Sequence, residues 1–150
     1  MRRIVVRLAV LAAVASLVVG CGEDDDPFEA YCKEVKAQRE SLSEDLAGGT
    51  ATSLIEALPE FERLQDKSPD DLEDEWATVT SRIGDLVEVL EDAGVDPATY
   101  DRRKPPAGLT EDEQDAIDAA AQALATNEMK AALDGVEQQA RDVCKTPMTL

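Results

Sequence analysis

The sequence predicts an all-α fold, an up-down-up-down bundle of about four helices over residues 27–146 closed by one disulfide. Three features carry that expectation. Helix-start signals recur along the chain, each a short polar residue followed three positions on by a carboxylate. Between them, apolar residues return every three or four positions, the repeat that gathers them on one helix face. No alternating run of strand length occurs after residue 20. Short links containing Pro or Gly make successive helices antiparallel neighbours.

The elements follow in order. Asp26-Pro27-Phe28-Glu29 starts the first helix, with Asp as cap, Pro at the first helical position and Glu three residues on. Its stripe is Phe28, Cys32, Val35, Leu42 and Leu46, interrupted by Arg39, and Gly48-Gly49 ends it. Arg39 is expected to reach the edge of the bundle or to pair with an acid on the last helix. Tyr31 flanks the stripe and is expected at the core edge. Ser53-Leu54-Ile55-Glu56 is expected to cap a second helix carrying Leu54, Leu58, Phe61 and Leu64, bent or restarted at Pro59.

Ser68-Pro69-Asp70-Asp71 is expected to cap the third helix. Leu72, Trp76, Val79, Ile83, Leu86 and Leu90 form its regular seam, with Trp76 in the core, and Gly94 closes it. Residues 95–109 form a connector, with a single turn at Asp96–Thr99 and a loop through Arg102-Arg103-Lys104-Pro105-Pro106. Thr110-Glu111-Asp112-Glu113 caps the fourth helix. Its stripe runs through Ile117, Ala121 and Leu124, then through Met129, Leu133, Val136, Ala140 and Val143. The five-residue step from Leu124 to Met129 shifts its phase, so a kink or break is expected near 125–127, where Thr126-Asn127 can cap a new helix.

The N-terminus carries a different signal. Arg2, Arg3 and Arg7 precede an uncharged apolar run from Leu8 to Val19. This is the pattern of a secretory signal, and the run falls short of the roughly 20 residues that span a bilayer. Val18-Val19-Gly20-Cys21 resembles the lipobox of bacterial lipoproteins. The resemblance implies a signal peptide over 1–20, a diacylglycerol thioether on Cys21 and cleavage before it. Residues 21–26 are then an acylated Cys with a short acidic tether, and the rest of the chain lies on the extracytoplasmic face of the cell membrane. The alternative is an uncleaved signal anchor with Cys21 as an ordinary thiol.

The chain has 15 Lys+Arg against 33 Asp+Glu, a net charge of −18. Removing residues 1–20 takes away three arginines, which leaves 12 basic against 33 acidic residues, or −21. Nucleic acid is therefore excluded as a partner, since its recognition rests on Lys and Arg. With Cys21 acylated, Cys32 and Cys144 remain together in an oxidising compartment, where disulfides persist. An up-down-up-down path also returns the last helix to the end where the first begins, which favours a Cys32–Cys144 bridge over two buried free thiols.

Catalytic chemistry has little material here. The chain has no histidine, which removes the usual general base near neutral pH and the commonest zinc ligand. No Gly-rich phosphate loop is present, and after residue 20 no Ser is followed three positions on by Lys. Neither a catalytic residue nor a cofactor is expected. Acids crowd two helix starts, at 70–75 and 111–115. They suit the helix dipole on a solvated face, and the alternative is a divalent-cation or small cationic-ligand site. Arg102-Arg103-Lys104 is the one basic cluster after the leader and a candidate partner contact, expected at the end remote from the membrane.

Phe28-Glu29-Ala30-Tyr31-Cys32 and Val136–Cys144 resemble the two ends of small actinobacterial secreted proteins and lipoproteins. The resemblance implies a helical domain closed by its two helix-borne cysteines and implies no activity. Together these readings describe a non-enzymatic, membrane-tethered binding or scaffold lipoprotein with an envelope partner.

Overall fold

α1 (Pro27–Asp45) opens the computed structural model, which describes residues 27–150. The signal peptide over 1–20, Cys21 and the tether through Asp26 lie outside the described residues. The described residues are all-helical, with six α-helices where the sequence suggested about four. A 3₁₀ turn (Leu46–Gly48) finishes α1, and Gly49 takes the left-handed conformation that glycine adopts without a Cβ penalty (φ 58°).

That turn changes where the next helix begins. Thr50, in extended backbone, caps α2 (Ala51–Glu56) by accepting the Ser53 N–H on its hydroxyl at 3.2 Å. Ser53, expected as the cap, is instead inside the helix and buried. Its hydroxyl lies 2.5 Å from where a Cβ on Gly48 would stand, so a side chain there would turn the Ser53 hydroxyl aside. α3 (Leu58–Asp66) restarts after Ala57 with Pro59 near its first turn, as the sequence suggested. Ser68 is a second correction. Its hydroxyl donates to the Gln65 carbonyl (2.8 Å) and closes α3, while a 3₁₀ turn (Asp70–Leu72) leads into α4 (Glu73–Asp92) without a side-chain cap.

α4 is the central element. Its seam of Trp76, Val79, Ile83, Leu86 and Leu90 is buried throughout. α5 (Glu111–Ala123) begins at the expected capping box of Thr110 and Glu113. The chain breaks at 124–126, and α6 (Asn127–Asp142) starts with the Thr126 hydroxyl accepting the Met129 N–H. The closest helix pairings are α4 with α6, α3 and α5. α6 runs antiparallel to α4, with Glu128 near Arg82 (3.5 Å), Gly135 against Glu75, and Gln139 near Asp71 (3.4 Å).

The core divides along α4. Its first half packs Trp76, Val79 and Ile83 with α1, α3 and α6, and its second half packs Leu86 and Leu90 with Tyr100, Ile117 and Ala121. Trp76 takes the Tyr31 ring edge-on at 6.4 Å and the Phe61 ring tilted at 5.8 Å. Val143, placed on the stripe by its spacing, is exposed at 38%, and the adjacent Cys144 faces inward instead.

Residues 145–150 form a strap along α1. Lys145 turns the chain with a positive φ of 53°. Met148 is buried and its N–H donates to Glu137, the Thr149 carbonyl accepts from Arg39 Nε (3.3 Å), and the Leu150 N–H donates to Ser43 Oγ (2.7 Å). The packed body therefore continues past residue 146. Arg39 is held by a backbone carbonyl of the strap, not by an acid on the last helix.

Tyr31 is fully buried, deeper than the core edge expected of it. The Tyr31 hydroxyl and the Trp76 indole N–H face each other, and neither reaches a well-aligned hydrogen bond among the described residues. Burial pushes the phenol up to about 12; the facing indole N–H opposes this, and Glu137 and Asp71 reinforce it to a smaller degree. Below the unfolded pKa near 10 the stability from a neutral buried phenol is fully present. It is lost as pH rises through about 12, because the unfolded chain ionises first. Chemical denaturation at pH 9 and pH 12 should show the native protein losing about 2–3 kcal/mol more than Tyr31→Phe does over this window. Equal losses in the two proteins would place the alkaline sensitivity elsewhere.

Candidate functional site

Cys32 and Cys144 are joined, with Cα atoms 5.0 Å apart and a sequence separation of 112. The bridge ties the first turns of α1 to the chain leaving α6. Among the described residues no helix is long and apolar enough to cross a membrane.

A cleft lies at the other end of α1. Its volume is about 650 Å³, and it opens where three interruptions of the helices meet: the α1–α2 turn, the connector at Tyr100–Arg103 and the α5–α6 break. Leu46 to Cys32 is 14 residues, so the cleft mouth stands about 21 Å along the α1 axis from the bridge. Leu46, Leu54 and Leu124 are half-buried on its walls, with Ala121 buried beneath.

The polar groups of the lining are largely engaged with each other. Thr52 Oγ1 donates to the Tyr100 carbonyl (2.5 Å), fastening α2 to the connector. Thr50 and Ser53 hydroxyls lie 3.2 Å apart. Asp101 accepts the Arg103 N–H at 2.9 Å. Burial pushes the Tyr100 phenol up, and nearby Asp118 adds to this while Arg102 opposes it.

Arg102 and Arg103 both border the cleft, whereas Lys104 does not line it. Arg102 Nε is 3.8 Å from Asp118, both side chains nearly half exposed, so the pair is weak. Arg103 enters no ion pair within 4.0 Å among the described residues. Of the basic cluster picked out in the sequence, two members thus face a shared concavity and the third stands apart. Nothing in the sequence marks the cleft's apolar walls, because Leu54 and Leu124 read as ordinary seam positions. The available signal for the concavity itself was the coincidence of the Gly48-Gly49 turn, the 95–109 connector and the phase shift at 124–129.

The acidic helix starts do other work. Glu113 accepts both the Thr110 N–H (2.7 Å) and its hydroxyl (2.8 Å), which holds its carboxyl below the usual range. Asp71 meets Gln139, and the Glu75 side chain lies over Gly135. Among the described residues no group of three or more His, Cys, Asp or Glu side chains is placed to hold a metal ion.

Compared with protein families, curated proteins and solved structures, the chain shows no significant match to any.

Proposed function

We propose that the chain is a non-enzymatic lipoprotein, tethered through diacylglycerol on Cys21 to the extracytoplasmic face of the cell membrane and acting as a binding or scaffold module. The observation that carries the binding role is the Arg102–Arg103 cleft, set at the end of α1 opposite the Cys32–Cys144 bridge. Cys21 is only six residues before Pro27, at most about 22 Å of extended chain. A lipid there would hold the bridged end against the bilayer and turn the cleft toward the envelope.

The six helices fit four rods in up-down-up-down order, the second broken between α2 and α3 and the fourth between α5 and α6. α1 against α3 and the antiparallel α4–α6 pair support that path. In this arrangement the turn between the first two rods and the break in the fourth both border the cleft.

Membrane fractionation of cells carrying the native chain or Cys21→Ser tests the anchor. The native protein should sediment with membranes, with a mass showing loss of residues 1–20 and gain of lipid. Cys21→Ser should lose the lipid mass and leave the membrane fraction once its leader is removed. Retention of the first twenty residues in the native protein, or unchanged lipid-dependent partition of the variant, would overturn the tether. An envelope partner should be recovered by crosslinking from the native chain and reduced by Arg102→Gln/Arg103→Gln.

A further inference from the structure

We infer that the cleft binds an anionic amphiphile of the fatty-acid class, with the acyl chain against its leucines and the carboxylate on Arg102 and Arg103. This rests on the binding role proposed above and names the ligand chemistry. A volume of about 650 Å³ falls within the 300–1,000 Å³ range of small-molecule sites. The walls supplied by Leu46, Leu54, Leu124 and Ala121 offer an apolar chain a surface it would otherwise leave to water.

The polar atoms between those walls favour the same ligand. Thr52 is spent on the Tyr100 carbonyl and Thr50 on Ser53, so a sugar or peptide would find few free partners there. What remains for an incoming polar group is the pair of guanidiniums at the rim. Arg103 is in no ion pair among the described residues, and Arg102 is held only at 3.8 Å by Asp118. Asp101 shares the lining, but its carboxylate accepts the Arg103 backbone N–H. Arginine's planar fork matches a carboxylate with two parallel hydrogen bonds, which lysine cannot do. On a body otherwise so acidic, a cationic rim beside an apolar cleft selects a molecule with one anionic end and one hydrophobic end.

The test uses radiolabelled decanoate and equilibrium dialysis against the full chain in phosphatidylcholine nanodiscs, with empty discs subtracted. Saturable uptake approaching one decanoate per chain is expected. Arg102→Gln/Arg103→Gln should weaken it about tenfold or more, the loss of a charge-assisted pair. Leu124→Trp, checked by circular dichroism and melting for an intact fold, should block uptake by filling the cleft. Acetate should not compete, and decyltrimethylammonium should not bind saturably.

No saturable uptake, equal uptake by the double glutamine variant, equal competition by acetate, or equal binding of the cationic amphiphile each overturns the assignment. Should Leu124→Trp unfold the chain, Ala121→Leu obstructs the same wall and gives the same readout. If the chain fails to enter the discs, the tether has failed; the same dialysis on the soluble chain still decides the ligand.

Discussion

Replacing both Cys32 and Cys144 by Ser should lower the stability of the domain by about 4–5 kcal/mol and its melting temperature by about 15 °C. The bridge spans 112 positions, so it constrains nearly the whole described chain in the unfolded state. The entropy that the unfolded chain loses by closure of such a loop is worth close to 5 kcal/mol. Native-state contacts should change less, because the strap independently joins α1 to the chain beyond α6. Arg39 still reaches the Thr149 carbonyl, and Ser43 still accepts the Leu150 N–H. Urea unfolding followed by far-UV circular dichroism checks this. The double variant should keep its helical signal in water, shift its midpoint down, and show a steeper m-value because the uncrosslinked unfolded chain exposes more surface. An unchanged midpoint would mean that the strap and core, not the crosslink, set the stability. Reducing the native protein should reproduce the shift, which separates loss of the crosslink from any packing effect of the serines.

Helix positions were legible wherever a cap and an apolar stripe agreed. Thr110–Glu113 and the seam from Trp76 to Leu90 are of this kind, because both signals are local and neither depends on the rest of the fold. The break before α6 was also local, since a five-residue step cannot stay on one helix face. Failures came where tertiary context chose between local options. Ser53 with Glu56 makes a capping box on paper and Thr50 with Ser53 does not, but the Gly48–Gly49 turn delivers Thr50 in extended backbone and buries Ser53. Arg39 invited a search for an acid, whereas its partner is a main-chain carbonyl that no charge pattern marks. The strap at 145–150 has no periodicity, so its burial of Met148 had no signal. For the candidate site, Arg102 and Arg103 stood out by sign alone; the concavity beside them depends on helix breaks distant in sequence.

Trp76→Ala should cost about 3–5 kcal/mol, a large share of the 5–15 kcal/mol typical of a whole domain. Trp76 is fully buried on the central helix, between the Tyr31 ring of α1 and the Phe61 ring of α3, and it belongs to the same cluster as Met129 and Val136 of α6. Removing the indole therefore opens a cavity shared by four helices, and none can move to fill it without disturbing another. Trp76→Phe should cost much less. It keeps an aromatic face for both neighbours and deletes an indole N–H that is poorly satisfied among the described residues, so part of the lost packing is offset by removing that buried donor. Because Trp76 is the single tryptophan, stability must be read by circular dichroism instead of indole fluorescence. The expected order is native, then Trp76→Phe, then Trp76→Ala, with the second step the larger. If the two variants lose stability equally, the indole N–H is bonded in solution, to the Tyr31 hydroxyl that it faces. In that case Tyr31→Phe would also be destabilising below pH 9, where an unpartnered hydroxyl predicts little loss.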